Sequence, residues 1–572
     1  MKMQFLRLHW PALALALLVG LVMVLPALGA KLRSGISFDH PANIRIDDEY
    51  WYFARIREVL DGHPTIGNPY LWEHKSKPPS PVFLGEWILA QPIRLVGGGV
   101  VAWGVIYDFF LPAIITLLTY SCLYVITRLR WLAVLGAVFL ILGWSPSDFG
   151  RAVSPQFNVV FWLSQFLLLE RLVRAHEAAR PLSRLAVLSA VNFGLLFYLY
   201  PYYWSFYFVL LAFLGALFWY RRERRMVGAL LITLGGGLVI AAPFFLHTLR
   251  AMQLPEYAET LRRISMIDSH FPSGIAIVVP GLALLAVVGA LTWKGIVPRT
   301  RHLAVLVVGV FAIMLSANQH VLTGRNFEFS SHYAPLALFW FTFLGGFLIS
   351  AVWLRLGAMR FRIGCGIALV VIAMAAWNFR DTGAWFRPLP AEALAASAEN
   401  LELFAWLNEH AEPDAVVFAP LSVSHLMPIY TAANVFFAVP ARLSFLPDAE
   451  VLDRFLLNHY GERVSREGVL ANERAIFGVQ FINAAAHARQ GNKLRGLLGL
   501  RQKPVDPLPD EAVERALERW RELGRTDFRS ALERYRVDYL VSETARPSPA
   551  ALAIRSFAAG DRVGRFSIFK LR

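Results

Sequence analysis

Long apolar stretches alternate with short polar ones along the first two thirds of the chain. A helix needs about 20 apolar residues to cross the hydrocarbon core of a bilayer, and many of these stretches approach that length. The pattern therefore predicts a mostly α-helical polytopic membrane protein with about eleven transmembrane helices. The predicted helices cover residues 9–30, 104–127, 131–145, 158–173, 185–201, 203–220, 226–247, 274–293, 302–317, 334–354 and 363–379.

One further apolar stretch, residues 82–96, is interrupted by charged residues, among them Glu86 and Arg94. If this stretch crossed the membrane, Arg128 would lie on the opposite side from the other cation-rich loops. We therefore expect an interfacial or re-entrant helix inside a large polar loop, residues 31–103, which we call the first outer loop.

Hydrophobicity falls after residue 380, and the remaining segment mixes helical and strand-like patterns. This change predicts a transmembrane domain over residues 1–379 and a soluble α/β domain over residues 380–572. The expected helices cover residues 391–410, 448–460, 465–490 and 509–535, and the expected strands 415–419, 434–439, 537–541 and 566–571.

The net charge of +15 sits almost entirely in alternate loops of the membrane half. Loops rich in Lys and Arg stay in the cytoplasm, so we expect a cytoplasmic amino terminus and an extracytoplasmic carboxyl-terminal domain in an integral plasma (inner) membrane protein. The charge is thus a signal of topology, and it gives no reason to expect nucleic-acid binding. The cations are Lys2, Arg7, Arg128, Arg130, Arg171, Arg174, Arg180, Arg184, Arg221, Arg222, Arg224, Arg225, Lys294, Arg299, Arg301, Arg355, Arg360 and Arg362.

Three adjacent carboxylates, Asp47, Asp48 and Glu49, run into an aromatic cluster in the first outer loop. At a membrane surface such groups can bind a metal ion, or take a proton from an attacking hydroxyl group while a phosphate leaves. A solvated acidic turn is the alternative interpretation. A second aromatic run, residues 198–204, is typical of an interfacial belt.

The segment Asp48-Glu49-Tyr50 follows the first helix and precedes an amphipathic segment and the second helix. This arrangement resembles the membrane glycosyltransferases of the GT-C class, most closely the catalytic subunit of oligosaccharyltransferases, over residues 1–355. The resemblance implies transfer of a sugar or glycan from a polyprenyl-phosphate-linked donor to a lipid, polysaccharide or protein acceptor at the outer face, with inversion. It implies a catalytic role for Asp48, with Asp47 and Glu49 as competitors.

The resemblance also implies a divalent metal ion, Mg²⁺ or Mn²⁺, held by Asp48 together with Asp148 and Asp268. The family has an acidic pair in its second outer loop, whereas this chain has only Asp148 between residues 144 and 157. Because a hard divalent cation takes several oxygen ligands, a mechanism without a metal stays open.

Arg325 resembles the family arginine that holds the donor phosphate, and Arg262 with Arg263 is a second candidate pair. Guanidinium groups bind phosphate oxygens in a bidentate manner, but each of these arginines could instead anchor a helix end at the lipid head groups. Further candidates in the same loop as Arg325 are Glu328 and His332, the latter as an acid, a base or a loop cap.

The carboxyl-terminal segment lacks the Trp-Trp-Asp signature by which oligosaccharyltransferases recognise their acceptor. Transfer to a lipid-linked glycan or a surface polysaccharide therefore fits better than transfer to asparagine. Two alternatives come from other classes of protein: a flippase for lipid-linked glycans, and a noncatalytic subunit for envelope assembly. A flippase normally needs charges near the bilayer midplane or paired repeats, and the sequence offers few such charges and no paired repeat.

Overall fold

A computed structural model describes residues 2–78, 82–143, 149–327, 330–381, 386–388, 390–554 and 560–572. Each of the eleven apolar stretches that the sequence predicts to be helical contains a helix. The first helix is α1 (Lys2–Ser34), and the first outer loop contains α2 (Asp47–Leu60) and α3 (Leu84–Val96). The helices that follow are α4 (Val100–Thr127), α5 (Arg130–Leu142), α6 (Asn158–Glu177), α7 (Ser183–Leu196), α8 (Pro201–Tyr220), α9 (Arg224–Ile240), α10 (Ala242–Ala251), α11 (Tyr257–Arg263), α12 (Ile275–Trp293), α13 (Arg301–Ala317), α14 (His320–Thr323), α15 (Tyr333–Trp353) and α16 (Arg360–Asp381).

Six of the described helices are long and apolar enough to cross a membrane, and the bent pair α9 and α10 makes a seventh if it counts as one span. The apolar helices α5, α7 and α13 are shorter, with 13, 14 and 17 residues. At about 1.5 Å per residue they extend roughly 20–26 Å, less than a hydrocarbon core of about 30 Å. The mostly helical membrane architecture is confirmed, and eleven crossings remain a prediction. The six spans are Leu8–Ser34, Val100–Thr127, Ala152–Glu177, Pro201–Tyr220, Ile275–Trp293 and Tyr333–Trp353.

The continuous helix predicted over residues 226–247 is wrong, because the structure breaks it between Ile240 and Ala242 and bends it by 45°. Pro243, in the first turn of the second piece, explains the break. Its ring lacks an N–H group and would clash with the carbonyl group of Val239 in an uninterrupted helix. At the start of a new helix a proline is tolerated, because the N–H there has no partner within the helix.

Residues 82–96 contain the helix expected inside the first outer loop, and α3 packs against α2. Arg55 of α2 and Glu86 of α3 form an ion pair with 3.2 Å between Nε and the carboxylate, and both side chains are almost completely buried. Arg55 also donates a hydrogen bond to the carbonyl oxygen of Val82. This paired charge fixes the two helices against each other, since either charge alone would be costly away from water.

The carboxyl-terminal segment from Ala391 on, here called the tail, has a five-stranded mixed sheet with helices around it. Its strands are β3 (Val416–Phe418), β4 (Asn434–Val435), β5 (Tyr539–Glu543), β6 (Asp561–Val563) and β7 (Phe566–Lys570), after the short β1 (Met266–Asp268) and β2 (Arg325–Phe327) of the membrane half. The strand order is β4-β3-β5-β7-β6, in which β3 runs parallel to β4 and β5, and β7 runs antiparallel to β5 and β6. Its helices are α17 (Ala391–His410), α18 (Leu421–Ser424), α19 (Met427–Tyr430), α20 (Asp448–Asn458), α21 (Arg466–Ala471), α22 (Glu473–Phe477), α23 (Gln480–Leu497), α24 (Asp510–Arg525), α25 (Phe528–Leu532) and α26 (Pro549–Ile554).

The single helix expected over residues 465–490 is wrong, since three helices, α21 to α23, occupy this region. Gly478 separates α22 from α23 with a φ of +66°, a backbone conformation that favours glycine. A Cβ atom at this position would lie 2.4 Å from the carbonyl oxygen of Arg263. The break therefore lets the tail approach the end of α11 closely.

Ion pairs join the tail to the first outer loop. The Lys75 ammonium group lies 3.0 Å from Glu58 of α2 and 2.5 Å from Asp414 of the tail. The fully buried Arg454 of α20 lies 3.0 Å from Glu73 and 2.8 Å from Glu450. The tail thus packs directly onto the loop that carries the acidic motif.

We expect Arg55→Met to lower the free energy of unfolding by about 3–5 kcal/mol, because it leaves the Glu86 carboxyl group buried without its partner. The double variant Arg55→Met/Glu86→Leu should recover most of that loss. Thermal unfolding of the purified protein in detergent measures both effects. Equal stability of wild type and Arg55→Met would contradict a buried ion pair.

The orientation inferred from the cations can be tested with reporter fusions after Arg222 and after Glu412. We expect the first reporter to be active only in the cytoplasm and the second only outside, since they lie at a cation-rich loop and in the tail. A fusion after Arg299 is the control and should behave like the fusion after Arg222. A cytoplasmic signal at Glu412 would reverse the assignment of the tail.

Candidate functional site

The three predicted carboxylates form the first turn of α2. Asp47 and Asp48 are exposed, whereas Glu49 is only 4% exposed. Successive residues of a helix point about 100° apart, so neighbours in sequence face different surroundings. The unpaired N–H groups at a helix start stabilise negative charge there. The motif therefore supplies two carboxylates to the surface and one to the interior.

Arg151, from the second outer loop, pairs with the carboxylate of Asp48. The Asp48 side chain keeps 57% of its surface exposed, and that of Arg151 keeps 21%. Arg151 directly precedes a six-residue π-helix, Ala152–Phe157, which leads into α6. The pair thus joins the first two loops at the membrane surface and leaves one face of the carboxylate open.

His332, the last residue of a short turn before α15, lies beside this pair. Its Nδ1 atom is 2.8 Å from the hydroxyl group of Tyr200, and its ring stacks on Tyr202 with centroids 4.8 Å apart. Burial, together with the positive charge of Arg151, lowers the pKa of His332 to about 4. His332 is therefore neutral near pH 7 and can accept or donate a hydrogen bond without carrying charge.

Tyrosine side chains form the floor around Arg151. Burial raises the pKa of Tyr52 to about 12, against the opposing influence of Arg151. The side chains of Tyr202 and Tyr203 are only 2% exposed, so the interfacial belt expected for this run is wrong at these two positions. They face the protein interior because they pack with Tyr200 and His332.

A second group of charges lies behind the exposed carboxylates. Burial raises the pKa of Glu49, and the nearby Asp108 raises it further. Glu49 accepts a hydrogen bond of 3.1 Å from the backbone N–H of Arg45. Asp108, two turns into α4, accepts one of 2.9 Å from the side-chain amide of Gln156. Glu49 therefore belongs to an inner network that supports the turn, while Asp47 and Asp48 face outwards.

The tail contributes cations and aromatic rings above the acidic motif. Burial lowers the pKa of Arg442 to about 10, and the charges of Asp48 and Asp47 act in the opposite direction. The ring of Tyr50 contacts that of His425, with centroids 4.3 Å apart. The exposed carboxylates thus lie between a floor from the membrane half and a cover from the tail.

The predicted phosphate ligands lie in three different settings. Arg325 is exposed and lines a polar pocket of about 750 Å³, whereas Arg262 is an exposed residue at the end of α11. Arg263 is buried, pairs with Asp448 and donates hydrogen bonds of 2.9 Å to the carbonyl oxygens of Arg442 and Leu446. These contacts make Arg263 a link between α11 and the tail.

Asp268 lies beside Arg325 rather than with the acids of α2. The two residues are partners in the short antiparallel ladder of β1 and β2, and both line the polar pocket. His320, next to this ladder, has its Nε2 atom 2.9 Å from the carbonyl oxygen of Phe271, as a loop-capping residue would.

The described residues offer a poor fit for a divalent cation. No group of three or more His, Cys, Asp or Glu side chains in the described part of the chain could hold a metal ion. Asp48 already has a cationic partner in Arg151. Two predicted residues, Asp148 and Glu328, lie outside the described residues. We therefore assign no step of the chemistry to a metal.

Arg151 and Asp108 are the residues that sequence reasoning missed. Arg151 stands three residues after Asp148 in a loop already expected at the outer face, and a cation there runs against the charge bias. This departure from the charge bias was the signal by which the sequence could have identified Arg151. Asp108 is a single acid within an apolar helix, and such residues mark functional or structural polar contacts.

Comparisons with known proteins give likenesses in structure but not in sequence. No family model matches the chain, and no curated protein matches its sequence. Its structure is similar to the oligosaccharyltransferase of Archaeoglobus fulgidus, crystallised with a tethered acceptor peptide that contains the NVT sequon. The two chains are 12% identical, the match covers 100% of this chain and 75% of the other, and the TM-score is 0.48. At this score the likeness carries no argument about the reaction.

Because the folded protein keeps His332 neutral down to about pH 4, its stability should fall on acidification below the ordinary histidine pKa of 6.5. Between these two values the unfolded chain binds a proton that the folded protein does not, which costs up to about 1.4 kcal/mol per pH unit. His332→Gln should remove this contribution. Thermal unfolding of both proteins between pH 4.5 and 7.5 isolates it. Parallel curves for the two proteins would show that His332 titrates normally.

Proposed function

We propose that the protein is a membrane glycosyltransferase that moves a sugar or glycan from a polyprenyl-phosphate-linked donor to an acceptor. The acceptor is a lipid-linked glycan, a polysaccharide or a protein, and the reaction takes place at the membrane face that carries the tail. In keeping with the cation distribution, we place this face outside the plasma (inner) membrane.

The observation that carries this proposal is the pair of Asp48 and Arg151 on a tyrosine floor, with neutral His332 beside it. An exposed carboxylate can accept a proton, and an adjacent guanidinium group can bind the oxygens of a phosphate. Arg151 directly precedes the membrane span Ala152–Glu177, and its contact with Asp48 brings the carboxylate close to the level at which a donor with a lipid tail presents its phosphate.

In the proposed reaction the Asp48 carboxylate takes the proton of the acceptor's nucleophilic group. The nucleophile bonds to the anomeric carbon while the bond from that carbon to the phosphate oxygen breaks, so the phosphate leaves with the electron pair. One displacement of this kind inverts the configuration of the anomeric carbon. Proton transfer to a positioned base contributes typically 10²–10⁴-fold to such a step.

Arg151 has two successive partners in this scheme. Without a donor it neutralises Asp48, and with a donor it stabilises the negative charge that develops on the leaving phosphate. When the Nδ1 atom of His332 accepts a hydrogen bond from the Tyr200 hydroxyl group, its Nε2 atom carries the proton and can donate to the same phosphate. Arg442 of the tail supplies a further positive charge facing Asp47 and Asp48.

We expect Asp48→Asn to lower turnover by about two to four orders of magnitude, because it keeps the shape of the side chain and removes the base. Asp47→Asn is the matched control and should have a milder effect, since only Asp48 is paired with Arg151. The measurement is sugar transfer by the purified protein in liposomes with a polyprenyl-linked donor. Full activity of both variants would make the motif a solvated acidic turn.

We expect Arg151→Ala to weaken donor binding by about 1.5–3 kcal/mol, the usual value of a charge-assisted hydrogen bond. Arg151→Lys should recover it only in part, because an ammonium group lacks the planar fork of arginine. Donor affinity and the rate of transfer are measured separately, with Arg521→Ala, at an exposed arginine of α24, as the control. Unchanged affinity in Arg151→Ala would contradict its role at the phosphate.

Two experiments, a chelator added to the transfer assay and analysis of the lipids in cells without the protein, separate the remaining alternatives. Addition of a chelator should leave the rate unchanged if Asp48 acts as a base, and should abolish it if the carboxylate holds a metal ion. Cells without the protein should accumulate the lipid-linked donor on both leaflets for a transferase. Accumulation on the inner leaflet alone would instead indicate a flippase, and no accumulation a noncatalytic subunit.

A further inference from the structure

The end of α23 and the loop after it combine strong positive charge with exposed leucines. Residues 480–505 contain five cations and no acid: Arg489, Lys493, Arg495, Arg501 and Lys503. Within this run Leu497, Leu498 and Leu500 are 80%, 60% and 49% exposed. Clustered apolar side chains among Lys and Arg are typical of segments that lie in a membrane interface.

Contacts with the membrane half place this segment near the lipid surface. The Arg495 guanidinium group lies 4.5 Å from the centre of the Phe271 ring, and a Cβ atom on Gly491 would be 3.4 Å from that ring. Phe271 stands four residues before Ile275, where the membrane helix α12 begins. Four residues span at most about 14 Å, so α23 meets the membrane half at the entrance of α12 into the bilayer.

The contact between Arg495 and Phe271 borders the polar pocket that Arg325 also lines, here called the basic pocket. Arg325, Arg495 and Lys503 line it together with Phe271, and Asp268 is the acid among its described lining residues. The pocket has a volume of about 750 Å³, enough for a phosphate-bearing head group. On the membrane half, Leu322 lies three residues before Arg325 and is 77% exposed. Exposed leucines thus lie close in sequence to the pocket residues in both the membrane half and the tail.

We infer that the tail docks on the bilayer through residues 489–503, with Leu497, Leu498 and Leu500 in the interface and an anionic phospholipid phosphate in the basic pocket. The charge complementarity selects an anionic lipid, since Lys and Arg side chains near an anionic membrane surface are attracted to it. Arg325 then binds a phosphate group, as expected from the sequence, but this phosphate belongs to a bilayer lipid. The phosphate of the sugar donor binds to Arg151. This inference does not depend on the proposed reaction.

A spin label at position 498 of the full chain tests the docking. Leu498→Cys is compared with Leu552→Cys, an equally apolar residue that is 52% exposed on α26, and Cys365→Ser removes the exposed native thiol. In liposomes of phosphatidylglycerol and phosphatidylethanolamine, we expect oxygen to relax the label at 498 more than a water-soluble nickel chelate does. The label at 552 should show the reverse. Equal access of the chelate to both labels would overturn the docking.

Lipid binding in the pocket is tested with Arg495→Glu/Lys503→Glu, and Arg521→Glu on α24 serves as an exposed control. We expect the double variant to lose at least tenfold in affinity for fluorescent phosphatidylglycerol, and the control to keep wild-type affinity. Inorganic phosphate and the polyprenyl-linked donor are added as competitors. Displacement by the donor but not by unlabelled phosphatidylglycerol would assign the pocket to the donor and overturn the inference. Displacement by inorganic phosphate alone would likewise overturn it.

Discussion

The contact between Asp48 and Arg151 is the point at which the first two outer loops of this protein meet. It connects the first turn of α2 to the loop before α6, and His332 and the surrounding tyrosines pack around it. An exposed ion pair of this kind contributes little to stability by itself. Its importance lies in geometry, since it sets an exposed carboxylate, a guanidinium group and a neutral imidazole side by side.

Buried ion pairs, rather than this surface pair, hold the helices and the tail against one another. Arg55 with Glu86 holds α2 against α3, and Arg454 with Glu73 holds the tail against the first outer loop. Buried pairs of this type are costly to break, so they specify one arrangement of helices even where their net contribution is small. The exposed carboxylates therefore lie on a support that buried ion pairs hold together.

Much of the helical architecture followed from the sequence, because apolar length is a strong signal when a helix must satisfy its own backbone in lipid. The acidic motif was equally visible, because its three carboxylates are adjacent in the sequence and run directly into an aromatic cluster. The bend at Pro243 and the break at Gly478 were missed because the pattern of apolar and polar residues is similar before and after each of them. Arg151 and Tyr202 were missed for another reason, since their roles depend on side chains from loops far away in the sequence.

The ion pair of Arg454 with Glu73 has a consequence for biosynthesis. Its two partners are 381 residues apart, and ribosomes add about 5–20 residues per second. The first outer loop is thus exposed for roughly 20–80 s before the segment that covers it has been made. During that interval Glu73 lacks Arg454, and Lys75, the partner of Glu58, lacks Asp414, so the first outer loop completes its ion pairs only after the tail has been made.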